Sequence, residues 1–271
     1  MRVNKRRDNT NPFSERRGVE YDHDRNRHTL EGPQAALPEI FSDHKPASLL
    51  DVGCGTGTWL KAASNYGIDD VFGLDGVAIP AKELLIPATL FQQQDLTTSW
   101  NLGRRFDAVL CLEVAEHLEE RFSSLLIETL TSHADLVVFS AAIPDQPGQH
   151  HVNCQWPAYW QARFNAHGFA CDDAIRWRLW DDERVEPWYR QNLFIARRDP
   201  AAAGHEPRLR PVVHPQILRK LFGADRRRFR VEIEAGGLST RWYWRTPFVA
   251  SWAKFKGRTA KQPRPAQHLH S

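Results

Sequence analysis

A strand that runs into a glycine-rich loop at residues 49–57 constrains the fold of this chain more than any other segment. Its sequence, LLDVGCGTG, places an acid, Asp51, near the end of an apolar strand and glycines at the alternate positions Gly53, Gly55 and Gly57. Glycine lets the backbone turn sharply and approach a bound ligand closely. The segment that follows, TWLKAASNYG, is typical of a helix that begins at the loop and ends at the next glycine. Strand, loop and helix together predict the first half of a nucleotide-binding βαβ unit.

Apolar runs alternate with amphipathic segments over the next 150 residues or so, which predicts a parallel sheet with helices on both of its faces. The last two apolar runs, AIRWRLW and QNLFIARR, are short enough to pair as an antiparallel hairpin. The predicted strands lie at 70–76, 89–96 and 135–144, and the segment 106–118 is predicted as a buried strand that passes into a loop. The predicted helices lie at 120–132 and 156–169.

Acidic side chains stand at or just after the first four predicted strands, at Asp51, Asp75, Asp95 and Glu113. Ligands of doubly wound sheets bind beyond the carboxyl ends of the strands, so these acids are expected to line one site. A carboxylate beside the loop would repel phosphates, whereas it suits a cationic ligand that carries an ammonium group. At the end of the second strand, Asp75 is placed to accept hydrogen bonds from two ribose hydroxyls.

The segment LLDVGCGTG resembles motif I of the class I S-adenosylmethionine-dependent methyltransferases, and the resemblance covers about residues 45–198. A dinucleotide-binding Rossmann protein is the competing class, but its fingerprint places a glycine where this chain has Thr58. The resemblance implies an α/β fold, a doubly wound, mostly parallel seven-stranded sheet with a terminal antiparallel hairpin, and S-adenosyl-L-methionine as cofactor. It also implies that Asp95 accepts from the adenine amino group and that Leu96 packs near the ring. The expected cofactor-binding residues are Asp51, Gly53, Cys54, Gly55, Gly57, Asp75, Gly76, Asp95, Leu96 and Glu113.

The candidate catalytic residues follow the fourth and fifth strands. Glu113, Glu116 and His117 form a Glu-x-x-Glu-His pattern, and His151 comes after the fifth strand. We expect His151, with His117 and Glu116, to form the catalytic group, because a neutral imidazole can take the proton of an acceptor hydroxyl. The same four residues, Glu113, Glu116, His117 and His151, could instead ligate a divalent metal. Their spacing resembles that of the small-RNA 3′-terminal 2′-O-methyltransferases, yet the pattern is also common in metal-free methyltransferases, and a metal is not expected.

Two further segments, HVNCQWPAYW and EPWYRQNLFIARR, resemble those of bacterial methyltransferases of unassigned acceptor, many of them encoded among glycosyltransferase and polysaccharide genes. The resemblance implies that His151, Asn153, Gln155 and Trp156 lie over the methyl donor. Amides beside an aromatic face suit a sugar ring, so the predicted activity is O-methylation of a sugar or glycan hydroxyl. Another small-molecule hydroxyl, an amine and an RNA ribose remain open as acceptors.

The net charge of +3 conceals an acidic centre and a basic end. Residues 29–196 carry a net charge of −12, whereas residues 197–271 carry +12. We therefore predict a polar, disordered extension over 1–28, a methyltransferase domain over 29–198, and a linker with a basic, aromatic arm over 199–271.

The arm supports a second reading, in which the protein works as a binding module. Arginine, lysine and tryptophan interleave at 224–258, which suits stacked nucleotides or an anionic membrane surface. Because the centre is strongly acidic, a membrane surface is favoured over nucleic acid. The sequence lacks a secretory signal and an apolar stretch long enough to span a bilayer, and its four cysteines are scattered. We expect a cytoplasmic protein, with peripheral contact to the inner face of the membrane through the arm.

Overall fold

The computed structural model describes residues 29–219 and residue 231 of the chain. Within this part, strands and helices alternate in the order that the sequence predicts for an α/β domain. The strands are β1 (Ser48–Val52), β2 (Asp70–Asp75), β3 (Phe91–Gln93), β4 (Ala108–Leu112), β5 (Leu136–Ser140), β6 (Phe169–Asp172) and β7 (Phe194–Arg198). The α-helices are α1 (Glu31–Ile40), α2 (Thr58–Tyr66), α3 (Ser123–His133), α4 (Pro157–Ala166), α5 (Ala174–Leu179) and α6 (Pro187–Asn192).

The seven strands form one sheet in the order β3-β2-β1-β4-β5-β7-β6. Strands β1 to β5 pair in parallel, and β7 is antiparallel to both β5 and β6. This arrangement confirms the predicted fold class, a doubly wound and mostly parallel seven-stranded sheet that ends in an antiparallel pair. The order in which successive strands are added to the sheet reverses between β1 and β4. Ligands of doubly wound sheets bind at this point.

Each face of the sheet is covered by helices, because side chains of buried strands alternate between the two faces. On one face, Leu50 and Val52 of β1 join a core that includes Leu126 of α3 and Phe164 of α4. On the other face, Leu49 joins a core built with α1, α2, α5 and α6. The sheet is therefore buried on both sides, and its exposed functional surface lies at the ends of the strands.

The predicted terminal antiparallel pair of strands is confirmed, but the segment predicted as its first strand is wrong. The segment AIRWRLW, expected as a strand, forms α5, and the partner of β7 is β6, which lies directly after α4. Within α5, Ile175 and Leu179 are buried while Trp177 is 51% exposed. A strand would put all three on one face, so their exposure is that of a helix.

Strand β3 is shorter than the predicted strand 89–96, since a turn of 3-10 helix occupies Ala88–Leu90. Asp95 therefore follows β3 by two residues and does not end it. Strand β4 ends at Leu112, and single 3-10 turns at Ala115–His117 and Glu120–Phe122 carry the chain into α3.

Residues 199–218 differ from the linker that the sequence predicts, because they pack on the domain. The first compact unit of the chain extends to Leu218. Leu209 and Ile217 are buried, and the Oε1 atom of Glu206 accepts hydrogen bonds from the side-chain amides of Gln161 and Asn165 at 2.8 and 2.6 Å. Segment 199–218 therefore completes the domain, and we call it the strap.

The strap also covers two arginines that the sequence does not mark as buried. Arg176 of α5 is 0% exposed; it pairs with Asp173 at 3.0 Å and donates to the backbone oxygen of Arg210. Arg190 of α6 donates to the side-chain oxygen of Gln216 at 2.7 Å. Removing the strap would take away these two partners and expose both guanidinium groups.

The predicted N-terminal extension, residues 1–28, and the basic segment at 224–258 lie outside the described residues, apart from the single residue Val231. No helix in the described part of the chain is long and apolar enough to cross a membrane. The predictions for the two ends of the chain stay predictions.

We expect a chain that ends at Leu218 to keep the stability of the domain and a chain that ends at Asp199 to lose a large part of it. The shorter chain loses the hydrogen bonds that Gln161, Asn165 and Arg190 donate to the strap; each bond has one charged partner and contributes about 1.5–3 kcal/mol. Urea denaturation of both chains measures the difference in the free energy of unfolding. Equal stability of the two chains would show that the strap is a dispensable linker.

Candidate active site

The glycine loop between β1 and α2 is fixed by hydrogen bonds to the end of β2. The amides of Gly53 and Cys54 donate to the backbone oxygen of Leu74 at 2.7 and 3.0 Å. Gly53 has a φ of 82°, and a Cβ there would come within 2.2 Å of the side chain of Val114. The loop thus needs glycine at this position for its backbone angle and for its packing.

Asp75, at the end of β2, draws the loop to the carboxyl end of the sheet. Its Oδ2 atom accepts from the amide of Gly55 and its Oδ1 atom from the amide of Val77, both at 2.8 Å. The carboxylate is buried, yet two oxygens offer about four acceptor sites in total. Its role toward the ribose hydroxyls, which the sequence assigns to it, stays a prediction.

Asp51, the acid that precedes the loop, is buried without a hydrogen-bond partner for its Oδ2 atom among the described residues. Burial, helped by the nearby charge of Asp75, raises the pKa of the Asp51 carboxyl to about 8. A buried carboxylate is costly unless a cation or a donor accompanies it. The geometry therefore fits an ammonium or other cationic group of a ligand at the end of β1.

The remaining predicted cofactor residues lie at the ends of β2 and β3. Asp95 is exposed, and its Oδ1 atom accepts from the backbone amide and the hydroxyl of Thr97 at 2.9 and 2.6 Å. Leu96 is buried in the core of the domain. Gly76 follows Asp75 directly, and its backbone oxygen accepts from the side chain of Gln93 at 3.3 Å. Their roles toward adenine stay predictions.

Glu113 follows β4 in a left-handed backbone conformation with a φ of 55°. Its Oε1 atom accepts from the side-chain amide of Asn192 at 3.0 Å, and its Oε2 atom accepts from that of Gln146 at 2.8 Å. Burial raises the pKa of Glu113. A strained residue that neighbouring side chains hold in place is typical of a functional position.

Glu116 is fully buried, and neither oxygen of its carboxylate has a hydrogen-bond partner within the described part of the chain. Burial and the nearby charge of Glu113 raise its pKa well above the usual range. In the protein alone, burial therefore favours the neutral form of this carboxyl. A positively charged species beside it would favour the carboxylate instead.

His117 and His151 face each other across the site, with ring centroids 5.1 Å apart. Burial lowers the pKa of both imidazoles, and that of His117 falls to about 4. Their Nδ1 atoms contact the backbone oxygens of His150 and Gln146 at 3.3 and 3.0 Å, respectively. Because a carbonyl oxygen can only accept, the contact with Gln146 places the proton of His151 on Nδ1 and the lone pair of that ring on Nε2. Burial favours the neutral form of both rings at pH 7.

Three of the four candidate metal ligands come together in the structure. Glu116, His117 and His151 each offer one ligand atom, and these atoms lie within 4.8 Å of one another. Glu113 is outside this group. Two imidazoles next to a buried carboxyl form a donor set that suits a divalent cation, which would favour the carboxylate form of Glu116.

The segment that the sequence places over the methyl donor has two kinds of residue. Asn153 is buried, and its amide donates to the hydroxyl of Ser123 at 3.0 Å, so its side chain braces the loop. Trp160 is also buried and belongs to the core. Trp156, at the start of α4, is 40% exposed and keeps an aromatic surface for a ligand. Gln155 is half-buried and donates to Asn153.

Sequence reasoning missed the amide side chains that hold Glu113, which are Gln146 and Asn192, together with Gln191 behind them. Gln191 donates to the side-chain oxygens of both Gln146 and Asn192. The only signal was a polar Gln-Asn pair directly before the apolar run of β7. Buried side-chain amides usually have a specific hydrogen-bond partner, so this pair could have indicated a polar contact at the start of β7.

Comparison with known proteins connects this site to one family. A family profile described as "Methyltransferase domain" matches residues 21–184, which is more than half of the chain. No curated protein matched the chain in a sequence search.

Several solved structures are similar to the domain. The DhpI–SAH complex is 24% identical, with a TM-score of 0.44, over 61% of this chain and 83% of that chain. The magnesium protoporphyrin IX methyltransferase from Synechocystis PCC 6803 with bound SAH is 19% identical, with a TM-score of 0.45, over 63% of this chain and 83% of that chain. DesVI from Streptomyces venezuelae is 18% identical, with a TM-score of 0.49, over 67% of this chain and 100% of that chain. The family assignment rests on the profile match and not on these structures.

We expect the affinity for S-adenosylmethionine to rise with pH between about pH 6 and pH 7.5. In the free protein Asp51 is protonated below its pKa of about 8, and the ammonium group of the ligand favours the ionised form. Binding therefore releases a proton, and the affinity rises by up to about tenfold per pH unit. Calorimetry at several pH values measures this slope. An Asp51→Asn variant should lose it, and an equal slope in that variant would contradict the role of Asp51.

Proposed function

The chain belongs to the methyltransferase domain family, and from this premise we propose that it methylates a hydroxyl group of a sugar or glycan. The family match confirms the predicted enzyme class, an S-adenosylmethionine-dependent methyltransferase, and with it the predicted cofactor. The identity of the acceptor is the proposed part. It is supported by the residues on the acceptor side of the site.

For the cofactor, we propose that Asp51 and the glycine loop hold the methionyl end and that Asp75 accepts from the ribose hydroxyls. Asp51 fits this role because its buried Oδ2 atom has no partner within the described residues. Asp95 would accept from the adenine amino group beside Leu96. The cofactor supplies an electrophilic methyl group on a sulfonium, so most of the rate depends on how the protein orients the acceptor oxygen.

The observation that carries the proposal is the pair of neutral imidazoles beside a buried acid. An alcohol is a weak nucleophile until a base takes its proton. The Nε2 lone pair of His151 is such a base, because burial keeps its ring neutral at pH 7 and its Nδ1 proton is engaged with Gln146. His117 and Glu116 complete the group and can stabilise the charge that develops on His151. An amine acceptor that binds unprotonated would not require this arrangement.

A sugar ring suits the segment that follows His151 in the chain. Trp156 presents an exposed aromatic face, on which the C–H face of a sugar can stack, and Gln155 lies beside it in the chain. The domain centre is acidic, with a net charge of −12 over residues 29–196, and this disfavours a polyanionic acceptor such as RNA. Both features support a neutral glycan as acceptor.

A second candidate is metal-dependent methylation of an RNA ribose, and one observation favours it. Glu116, His117 and His151 group their ligand atoms within 4.8 Å, and the carboxylate of Glu116 has no hydrogen-bond partner among the described residues. A divalent cation held there would lower the pKa of a coordinated hydroxyl. In that case His151 acts as a ligand and not as a base.

The proposal predicts methyl transfer from labelled S-adenosylmethionine to sugars and the loss of this transfer in a His151→Ala variant. Nucleotide sugars, glycolipid extracts and short RNAs, tested side by side, separate the acceptor classes. If His151 is the base, transfer withstands a chelator and falls as the pH drops through the pKa of His151, which burial places below the ordinary value near 6.5. If it is a ligand, a chelator abolishes transfer and added divalent metal restores it.

The matched control is His167→Ala, which removes a histidine from the end of α4 and leaves the site intact. Labelling of RNA alone, restored by metal after chelation, would replace the glycan proposal with the ribose one. Full transfer by His151→Ala would exclude His151 both as base and as ligand.

For the basic segment at 224–258, we propose contact with an anionic membrane surface that carries lipid-linked sugars. The support is its sequence, in which Arg and Lys interleave with Trp. Each basic residue near such a surface contributes about 1 kcal/mol. The full chain should sediment with anionic liposomes at low salt, whereas a chain that ends at Leu218 should not. Equal sedimentation of the two chains would contradict the proposal.

A further inference from the structure

The loop that follows β5 contains one residue that touches both sides of the candidate site. The side-chain amide of Gln146 donates to Oε2 of Glu113 at 2.8 Å, and its backbone oxygen accepts from Nδ1 of His151 at 3.0 Å. Gln146 is itself buried. A movement of this residue would therefore shift the acid that follows β4 and the imidazole together.

The side chain of Gln146 is held from behind by the end of α6. Its Oε1 atom accepts from the side-chain amides of Gln191 and Asn192 at 3.0 and 2.9 Å. The amide of His214 in the strap donates in turn to Oε1 of Gln191 at 2.8 Å. Gln191 and Asn192 are at most 2% exposed. Gln146 is thus held by a buried hydrogen-bond network.

Gly148 leaves the space that the imidazole of His151 occupies. A Cβ built on Gly148 would lie 2.0 Å from Nε2 and 2.3 Å from Cε1 of His151, far inside van der Waals contact. The φ of Gly148 is not in the left-handed region, so the backbone itself would accept alanine. Glycine is required here because the ring of His151 lies against its Cα.

Backbone strain is concentrated around the same loop. Within the described residues, the non-glycine positions with positive φ are Glu113, Asp145 and His150, at 55°, 66° and 47°. Asp145 directly precedes Gln146, and His150 directly precedes His151. Such conformations are unfavourable for residues with a Cβ and persist where the surroundings enforce them, which is common at functional sites.

We infer that Gln146 and Gly148 are positioning residues for His151: the Gln146 carbonyl fixes the Nδ1 proton, and Gly148 admits the ring in the orientation that leaves the Nε2 lone pair for the acceptor. This inference rests on the proposed role of His151. It adds two residues that set the tautomer and orientation of His151 and assigns them no part in the chemical step.

The test is ¹⁵N nuclear magnetic resonance of the histidine rings in the full-length protein, which needs no acceptor. The wild type should show separate resonances for the two ring nitrogens of His151, with the protonated type at Nδ1. Gly148→Ala should move the two resonances toward each other, as in a ring that exchanges between tautomers, because the added methyl group displaces the imidazole from the Gln146 carbonyl. Gln146→Leu, which removes the bonds to Glu113, Gln191 and Asn192, should act in the same direction.

Gly204→Ala is the matched control. Gly204 has a φ of 80° with open space around it, so alanine there strains the backbone far from His151 in sequence and should leave the His151 resonances unchanged. The inference is overturned if the wild-type ring carries its proton on Nε2, or if folded Gly148→Ala and Gln146→Leu proteins keep the wild-type spectrum. If only the proposed function is wrong, these spectra remain as expected. The error would then be detected as methyl transfer by the His151→Ala variant.

Discussion

Burial of carboxyl groups at the carboxyl end of a parallel sheet is the constraint on which this site depends. The carboxylate of Asp75 is stabilised by a hydrogen bond from the amide of Gly55 in the glycine loop. Asp51 and Glu116, in contrast, have buried carboxyl oxygens without a hydrogen-bond partner in the described part of the chain. A protein of ordinary stability tolerates such groups where a ligand supplies the missing charge. On our proposal that a cationic cofactor binds here, the loop geometry, the raised pKa values and the position of the site are parts of one arrangement.

The acids, the glycine loop and the sheet could be predicted from sequence because each leaves a local pattern. Glycines at alternate positions and an acid after each early strand depend on residues that are neighbours in the chain. The parallel sheet then brings those strand ends together without further information. For this reason Asp51, Asp75 and Glu113, which are far apart in sequence, were expected in one site, and the group of Glu116, His117 and His151 follows the same logic.

Features that depend on distant contacts were not predicted. In the segment AIRWRL, Ile175 and Leu179 are four residues apart, a spacing that fits both a strand and a helix, and only the burial of Arg176 and the exposure of Trp177 distinguish the two. The strap is rich in proline and alanine, as linkers are, yet Glu206 and Leu209 attach it to α4. Gln146 contacts Glu113 and Asn192, which are distant from it in the sequence, so no local pattern marks it.

The central claim is that the buried acids form an S-adenosylmethionine site, and calorimetry tests it most directly. The wild type should bind S-adenosylmethionine and its demethylated product, and Asp75→Ala should weaken binding by about 1.5–3 kcal/mol, the range for hydrogen bonds to a charged group. A nicotinamide dinucleotide should not bind, since its phosphates offer the buried Asp51 carboxyl no cationic partner. Unchanged affinity in Asp75→Ala, or tight binding of the dinucleotide by the wild type, would contradict the account.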